Sequence, residues 1–265
     1  MKLDYGRIKA VLDSFRGLDG DEAYYRKDSV DYDHVGLLVP QTRDVLARAF
    51  SGRKHVLDSG CGDGRTLIAN HTLFAKGTGI DESGGYMIRR AIRDRDAKGI
   101  SNLDFQACEA KQLPFAGDTF DMVFSERGSL GYADAPLAEA LRVLRPAGLI
   151  FFETLGERNL METSLAFDPK FVKPNTHLAN LEEIRQRFEK FGVAIQTLAS
   201  RTEALRFKDF YEWLAYQCSV WKYLGKPLPS PDARESFEKL LAIASDKDER
   251  ISITYHTLWI AGTKT

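Results

Sequence analysis

Cysteine is scarce in this sequence. Cys61, Cys108 and Cys218 lie far apart and show no metal spacing, so neither a disulfide framework nor a cysteine-ligated metal centre is expected. The start, Met1-Lys2-Leu3-Asp4-Tyr5, has no apolar leader, and with the odd cysteine number this points to a reducing cytoplasm. No run of about 18 apolar residues occurs, so no membrane-spanning helix is expected. Charge of one sign is not in excess. The net charge is -1 at neutral pH, which argues against a nucleic-acid partner. The one basic stretch, Arg89-Arg90-Ala91-Ile92-Arg93-Asp94-Arg95, reads as the solvated face of a helix whose buried stripe holds Ile88 and Ile92. Repeats and low-complexity tracts are lacking. His55, His71 and His256 are scattered, and no metal site is expected.

What is present is a substantial core. Of 265 residues, 43% are hydrophobic and 28% charged, which fits an α/β domain with an appended or inserted cap. Pro40 can sit in the first turn of a helix with apolar positions Val45, Leu46, Ala49 and Phe50, after which strand and helix patterns alternate. Strands are expected at 55–58, 77–81, 103–107, 119–124 and 149–152, the last near-continuously apolar and so buried on both faces. Helices are expected at 66–74, from Ser83 to about Lys98 with Gly99 as a stop, and at 137–144. Later come a helix at 181–191, a strand at 193–198, an aromatic helical stretch at 207–224, a helix at 236–244 and a final strand at 251–261. Repeated βα units imply a doubly wound, mostly parallel, Rossmann-like sheet. The expected organisation is an N-terminal helical arm or lid at 1–40, an α/β domain at 41–206 and 249–265, and a helical cap at 207–248.

In such sheets ligands bind at the carboxyl ends of the strands. That rim carries Asp58, Asp81, Glu109, Ser125 and Glu153. The central signal is Asp58-Ser59-Gly60-Cys61-Gly62-Asp63-Gly64, a loop where glycine lets the main chain turn tightly and approach a ligand. A dinucleotide loop wants glycine or alanine at the sixth position from Gly60, where this chain has Arg65. Asp58 suits a ligand amine. Asp81 lies 21 residues after Gly60 and can accept from two ribose hydroxyls. Glu82 is expected beside it at the cofactor. Glu109 can accept from an adenine amine, with the Ala110 N–H donating to a ring nitrogen.

Val56-Leu57-Asp58-Ser59-Gly60-Cys61-Gly62-Asp63-Gly64 resembles motif I of class I S-adenosylmethionine-dependent methyltransferases. Gly79-Ile80-Asp81 resembles motif II. Glu109-Ala110 with Leu113-Pro114-Phe115, and Phe120-Asp121, resemble the two that follow. Leu141-Arg142-Val143-Leu144-Arg145-Pro146-Ala147-Gly148 resembles the helix and turn before the fifth strand. The resemblance is closest to small-molecule enzymes of the ubiquinone/menaquinone and trans-aconitate types. It implies a seven-stranded sheet with an antiparallel last strand. S-adenosylmethionine is then the donor and S-adenosylhomocysteine the product. Gly60, Cys61 and Gly62 would hold the donor, the Cys61 thiol serving as packing. Two departures stand out: Glu109 replaces the usual aspartate, and Ala147-Gly148 replaces a glycine pair.

Methyl transfer needs positioning more than a fixed catalytic group. In the segment after the fourth strand, Glu126 is a candidate base, Arg127 a candidate for a substrate carboxylate, and Ser125 a candidate cofactor contact. His177 is a second candidate base, and His34 with Tyr24, Tyr25 and Tyr32 a candidate lid. Most cap aromatics read as core, with Trp213, Tyr216 and Trp221 kept as substrate-pocket candidates. The missing Asn/Asp-Pro-Pro-Tyr pattern also argues against a nucleobase acceptor. Two other readings stay open: a nicotinamide-dependent oxidoreductase on the same sheet, and a non-catalytic S-adenosylmethionine-binding protein.

Overall fold

Apolar runs too continuous for a half-exposed sheet become the inner strands of a parallel one. We describe a computed structural model covering residues 2–26, 32–35, 39–82, 86–168, 170 and 180–265. In chain order come α1 (Tyr5–Arg16), α2 (Gly20–Arg26), β1 (Tyr32–Val35), α3 (Val39–Phe50), β2 (Arg53–Ser59) and α4 (Arg65–Asn70). Next are β3 (Phe74–Asp81), α5 (Met87–Ala97), β4 (Leu103–Ala107) and β5 (Phe120–Glu126). A 3-10 turn at Ser129–Gly131 leads to α6 (Asp134–Val143), β6 (Leu144–Leu155), α7 (Met161–Ala166) and α8 (Leu181–Lys190). The chain ends with β7 (Val193–Phe207), α9 (Phe210–Tyr223), α10 (Arg234–Ala244) and β8 (Ile251–Lys264).

The chain divides into two compact units. The α/β unit comprises Val39–Gly156, Leu178–Arg201 and Thr257–Thr265. Its sheet has the order β7-β8-β6-β5-β2-β3-β4. The inner pairs are parallel, and β8 runs antiparallel to β6, as expected of the last strand. Alternation along the strands sends Leu57, Val123 and Ile150 into one core and Val56, Phe124 and Phe151 into another. Both faces are therefore covered, as a parallel sheet requires. The parallel strands bring Ser59, Asp81, Ala107 and Glu126 to one rim, with Glu126 level with Glu153.

The helical unit comprises Met1–Leu38, Glu157–His177 and Thr202–His256. The expected arm and cap thus share one unit with residues 157–177, which were expected in the α/β domain. The reason is a common core: Leu12 and Phe15 of α1 join Phe167, Phe210, Trp213, Trp221 and Phe237. Here the expectation that Trp213 and Trp221 line a substrate pocket is corrected. Their side chains are 0% and 1% exposed, and Phe167 packs against both rings. Tyr216 is half-buried against Phe207, 5.1 Å between ring centroids.

Several bounds shift for local reasons. The helix expected at 66–74 stops at Asn70, whose carbonyl accepts from Leu73 N–H, and Phe74 opens β3 instead. The strand expected at 193–198 continues to Phe207, because Glu203, Leu205 and Phe207 alternate inward with Ala204 and Arg206 less buried between them. The helix expected from 207 starts at Phe210, where the Asp209 carboxylate accepts from the N–H groups of Tyr211 and Glu212 at 2.8 and 2.9 Å. β1, pairing antiparallel with Ala204–Phe207 of β7, was not expected.

Candidate functional site

β2 ends in a loop built on glycine backbone geometry. Gly60 has φ +87°, and a Cβ there would stand 3.1 Å from the Gly128 Cα. Gly62 has φ +54° and open space where a Cβ would point. The loop is fastened to β3: the N–H groups of Gly60 and Cys61 donate to the Ile80 carbonyl at 2.8 and 2.9 Å. The Gly62 N–H donates to Asp81 Oδ2 at 2.9 Å. These donors are therefore engaged within the protein, and the face left at Gly62 is bare main chain. The Cys61 thiol is buried, and burial pushes its pKa well up, with Asp58 and Asp81 adding to the effect. It is a packing group rather than a nucleophile.

The acids around this loop differ sharply in environment. Asp58 is 3% exposed, and its Oδ1 is buried with no hydrogen-bond partner among the described residues. Burial drives its pKa well above the ordinary carboxylate range, and the charges of Glu126, Asp81 and Asp63 push the same way. Asp63 goes the other way. Burial raises it, but Arg65 donates to both its oxygens at 2.9 and 2.8 Å, and Arg90 stands 3.8 Å off, so the net shift is down. Arg65, at the position where a dinucleotide loop wants glycine or alanine, serves this pair.

Asp81 is half-buried, and its carbonyl accepts from the Cys108 N–H at 3.0 Å, joining the ends of β3 and β4. Glu82 is exposed beside it. Glu109 is exposed and paired with Lys111 at 2.8 Å, and Ala110 is half-buried next to it.

Ser125 was expected at the cofactor, and this is corrected. It is 0% exposed, and its hydroxyl donates to the Ser59 carbonyl at 2.6 Å, so it braces two strand ends from within. Glu126 is half-buried and accepts from the Thr66 hydroxyl at the start of α4. Arg127 is exposed in the left-handed region, φ +64°, with its N–H donating to the Glu153 carbonyl at 2.7 Å. Glu153 itself is buried. Past the turn, the Tyr132 and Thr154 hydroxyls are hydrogen-bonded, and burial raises the Tyr132 pKa despite the opposing Arg127 charge.

The structure thus brings together Asp58, Gly60, Cys61, Gly62, Asp81 and Glu126. His177 lies outside the described residues, as do the side chains of Tyr24, Tyr25, Tyr32 and His34. Sequence reasoning missed Thr66, Gly128 and Tyr132. Only Gly128 carried a usable signal, a glycine three residues past a strand end. Among the described residues, no group of three or more histidines, cysteines or acids is arranged to hold a metal ion. None of the described helices is long and apolar enough to cross a membrane. The rim can take a cation at Asp58, adjacent hydroxyls at Asp81 and an amine at Glu109.

Comparison with known proteins bears on what ligand that is. Residues 56–148 match the family model described as a methyltransferase domain. The chain is 27% identical over 202 residues to YcgJ, an uncharacterized methyltransferase of Bacillus subtilis, covering 74% of each. The crystal structure of YcgJ superposes with a TM-score of 0.61 at 20% identity, covering 85% of this chain and 98% of that one. A malonyl-[acyl-carrier protein] O-methyltransferase of Laribacter hongkongensis is 33% identical over 160 residues, 55% of this chain and 53% of its own. The ubiquinone/menaquinone biosynthesis C-methyltransferase UbiE of Desulfotalea psychrophila is 36% identical over 116 residues, 40% of this chain and 44% of its own. The match to each of these last two spans about half their length.

Proposed function

From the match of residues 56–148 to a methyltransferase domain, we propose that the enzyme binds S-adenosylmethionine at the glycine loop and methylates a small-molecule acceptor. The observation that carries the reading is the Asp58 Oδ1 atom, buried beside bare glycine backbone with no hydrogen-bond partner among the described residues. A buried acceptor of this kind calls for a donor, and a ligand ammonium supplies one with charge assistance. Gly62, with no side chain and open space before it, leaves room for the amino-acid tail. Asp81, oriented by the Gly62 N–H, accepts from the ribose hydroxyls. Glu109 and Ala110 are assigned to the adenine edge, with Glu82 beside them. For that contact Glu109 must turn from Lys111, an exposed pair that costs little to break.

When bound, the donor supplies a methyl group already activated by positive sulfur. The protein's part is to hold the acceptor in line and exclude water. Glu126, fixed by Thr66, is assigned to the acceptor as base or as partner for an amine. His177 is the alternative base. Arg127 is assigned to an acceptor carboxylate. The near-neutral net charge supports a small molecule over a nucleic acid.

The test is calorimetry with S-adenosylmethionine, S-adenosylhomocysteine and a nicotinamide dinucleotide, followed by turnover with labelled donor across oxygen, nitrogen and carbon acceptors. Binding of the two sulfur compounds with turnover is expected. Binding of the dinucleotide alone overturns the reading, and tight donor binding with no turnover reduces it to a binding protein.

A further inference from the structure

Asp58 occupies a place that an ionised carboxylate would not choose. Each neighbouring acid has something to offset its charge. Asp81 of β3 accepts from the Gly62 N–H, Asp63 of the loop has Arg65 and Arg90, and Glu126 of β5 has the Thr66 hydroxyl. Among the described residues Asp58 Oδ1 has no partner, and the residue is only 3% exposed. Among the described residues, the charged groups acting on it are Glu126, Asp81 and Asp63, all carboxylates, and the loop adds the Cys61 thiol. Desolvation and like charge both oppose a negative charge here.

We propose that Asp58 keeps its proton while the site is empty and releases it when a cationic ligand docks, so that binding at the glycine loop exchanges one proton for one cation. This rests on the reading above, in which a ligand amine meets Asp58. The balance is simple. The O–H bond of the carboxylic acid breaks, the proton passes to water, and the carboxylate left behind accepts hydrogen bonds from the ammonium. Nothing is oxidised or reduced. The burial that disfavours the free anion strengthens its attraction to a cation once one is present. Donor and spent product both carry the amine, so both release the proton on binding, and product departure takes one up. The site is thereby selective for ligands bearing a cation at this point, and its occupancy is set by pH as well as by concentration.

The experiment is calorimetric titration of the full chain with S-adenosylhomocysteine from the ordinary carboxylate range up through neutral pH, in acetate and MES in acid and in phosphate and imidazole near neutrality. The buffers differ in protonation enthalpy, so the difference in heat counts protons. About one proton released per ligand is expected where Asp58 is protonated, with affinity rising about tenfold per pH unit over that interval. Asp58→Asn should bind more weakly, with affinity flat in pH and no release. Should that variant fail to fold, Glu126→Gln serves instead: it removes one crowding charge and should reduce the protons released at a given pH. Wild-type binding without proton release and with flat affinity overturns the inference and leaves the donor assignment standing. Release that persists in Asp58→Asn also overturns it. Failure of the wild type to bind at any pH overturns the donor assignment itself, and the inference with it.

Discussion

The Gly62 N–H donates to Asp81 Oδ2 at 2.9 Å, which makes the glycine loop and the acid ending β3 one mechanical piece. Asp81→Ala removes both the loop's anchor and the acceptor assigned to the ribose. Hydrogen bonds to a charged group are worth about 1.5–3 kcal/mol each, so a loss of about 2 kcal/mol, roughly thirtyfold in affinity, is the least expected. Asp81→Asn keeps one oxygen for the Gly62 N–H and should fall between. Calorimetry with S-adenosylhomocysteine measures both, and an unchanged affinity in Asp81→Ala would refute the ribose assignment.

Asp58 makes a second prediction, about the empty protein. Its pKa is raised by folding, so the native chain holds more protons than the unfolded one between the ordinary carboxylate range and the raised value. Stability contributed at this site is present at low pH and is lost as pH climbs through that interval. Asparagine carries no charge at any pH and escapes the loss. Ligand-free Asp58→Asn should therefore melt above the wild type at neutral pH and converge with it in acid. Comparing the two proteins cancels Asp63 and Asp121, whose lowered pKa values give the opposite slope. A variant that melts lower at neutral pH, with no deficit in acid, contradicts the assignment.

Which features were legible depended on whether one residue type admits one role. The places of Asp58 and Asp81 beside the glycine loop could be read because both acids lie at strand ends and keep a fixed spacing from Gly60. The inner strands could be read because burial on both faces writes itself as apolar runs. Trp213 and Trp221 could not, since aromatic residues at helical spacing look alike in a core and along a pocket. Thr66 and Glu126 meet across 60 residues, and nothing local announces such a pair. The second half of β7 was hidden because Arg201, Glu203 and Arg206 interrupt the apolar alternation. Ser125 was misread for a related reason: a polar residue at a strand end suits a ligand contact or a backbone brace equally well.

Gly128 gives a third prediction. Its backbone is ordinary for any residue, φ −82°, so the need for glycine comes from its neighbours. A Cβ there would lie 2.3 Å from Ser125 Oγ and 2.6 Å from the Ser59 carbonyl oxygen. The second of these is main chain at the root of the glycine loop and cannot rotate away. Gly128→Ala should therefore displace the loop, costing about 1–3 kcal/mol of stability as overpacking does, and weaken donor binding as well. Gly17, φ −86° with nothing within 4 Å of where a methyl would sit, is the control, and Gly17→Ala should change neither. Thermal melts and calorimetry on both variants decide the matter. A Gly128→Ala protein with wild-type affinity would show that the two loops move independently.

The last prediction separates packing from ligand contact in the helical unit. Trp213 is fully buried, with Phe167, Phe210 and Trp221 around its ring. Its indole Nε1–H is buried without an acceptor among the described residues. Truncation to alanine empties a large volume and should cost about 3–5 kcal/mol. Phenylalanine loses area too, but it also removes an unsatisfied donor whose burial costs about 1–3 kcal/mol, so the two effects oppose. Trp213→Phe should accordingly lie within about 1 kcal/mol of the wild type in a denaturant melt, while donor affinity stays unchanged in both variants. If phenylalanine costs as much as alanine, the indole N–H has a partner in solution, and if donor affinity falls in Trp213→Phe, Trp213 returns as a ligand-contacting residue.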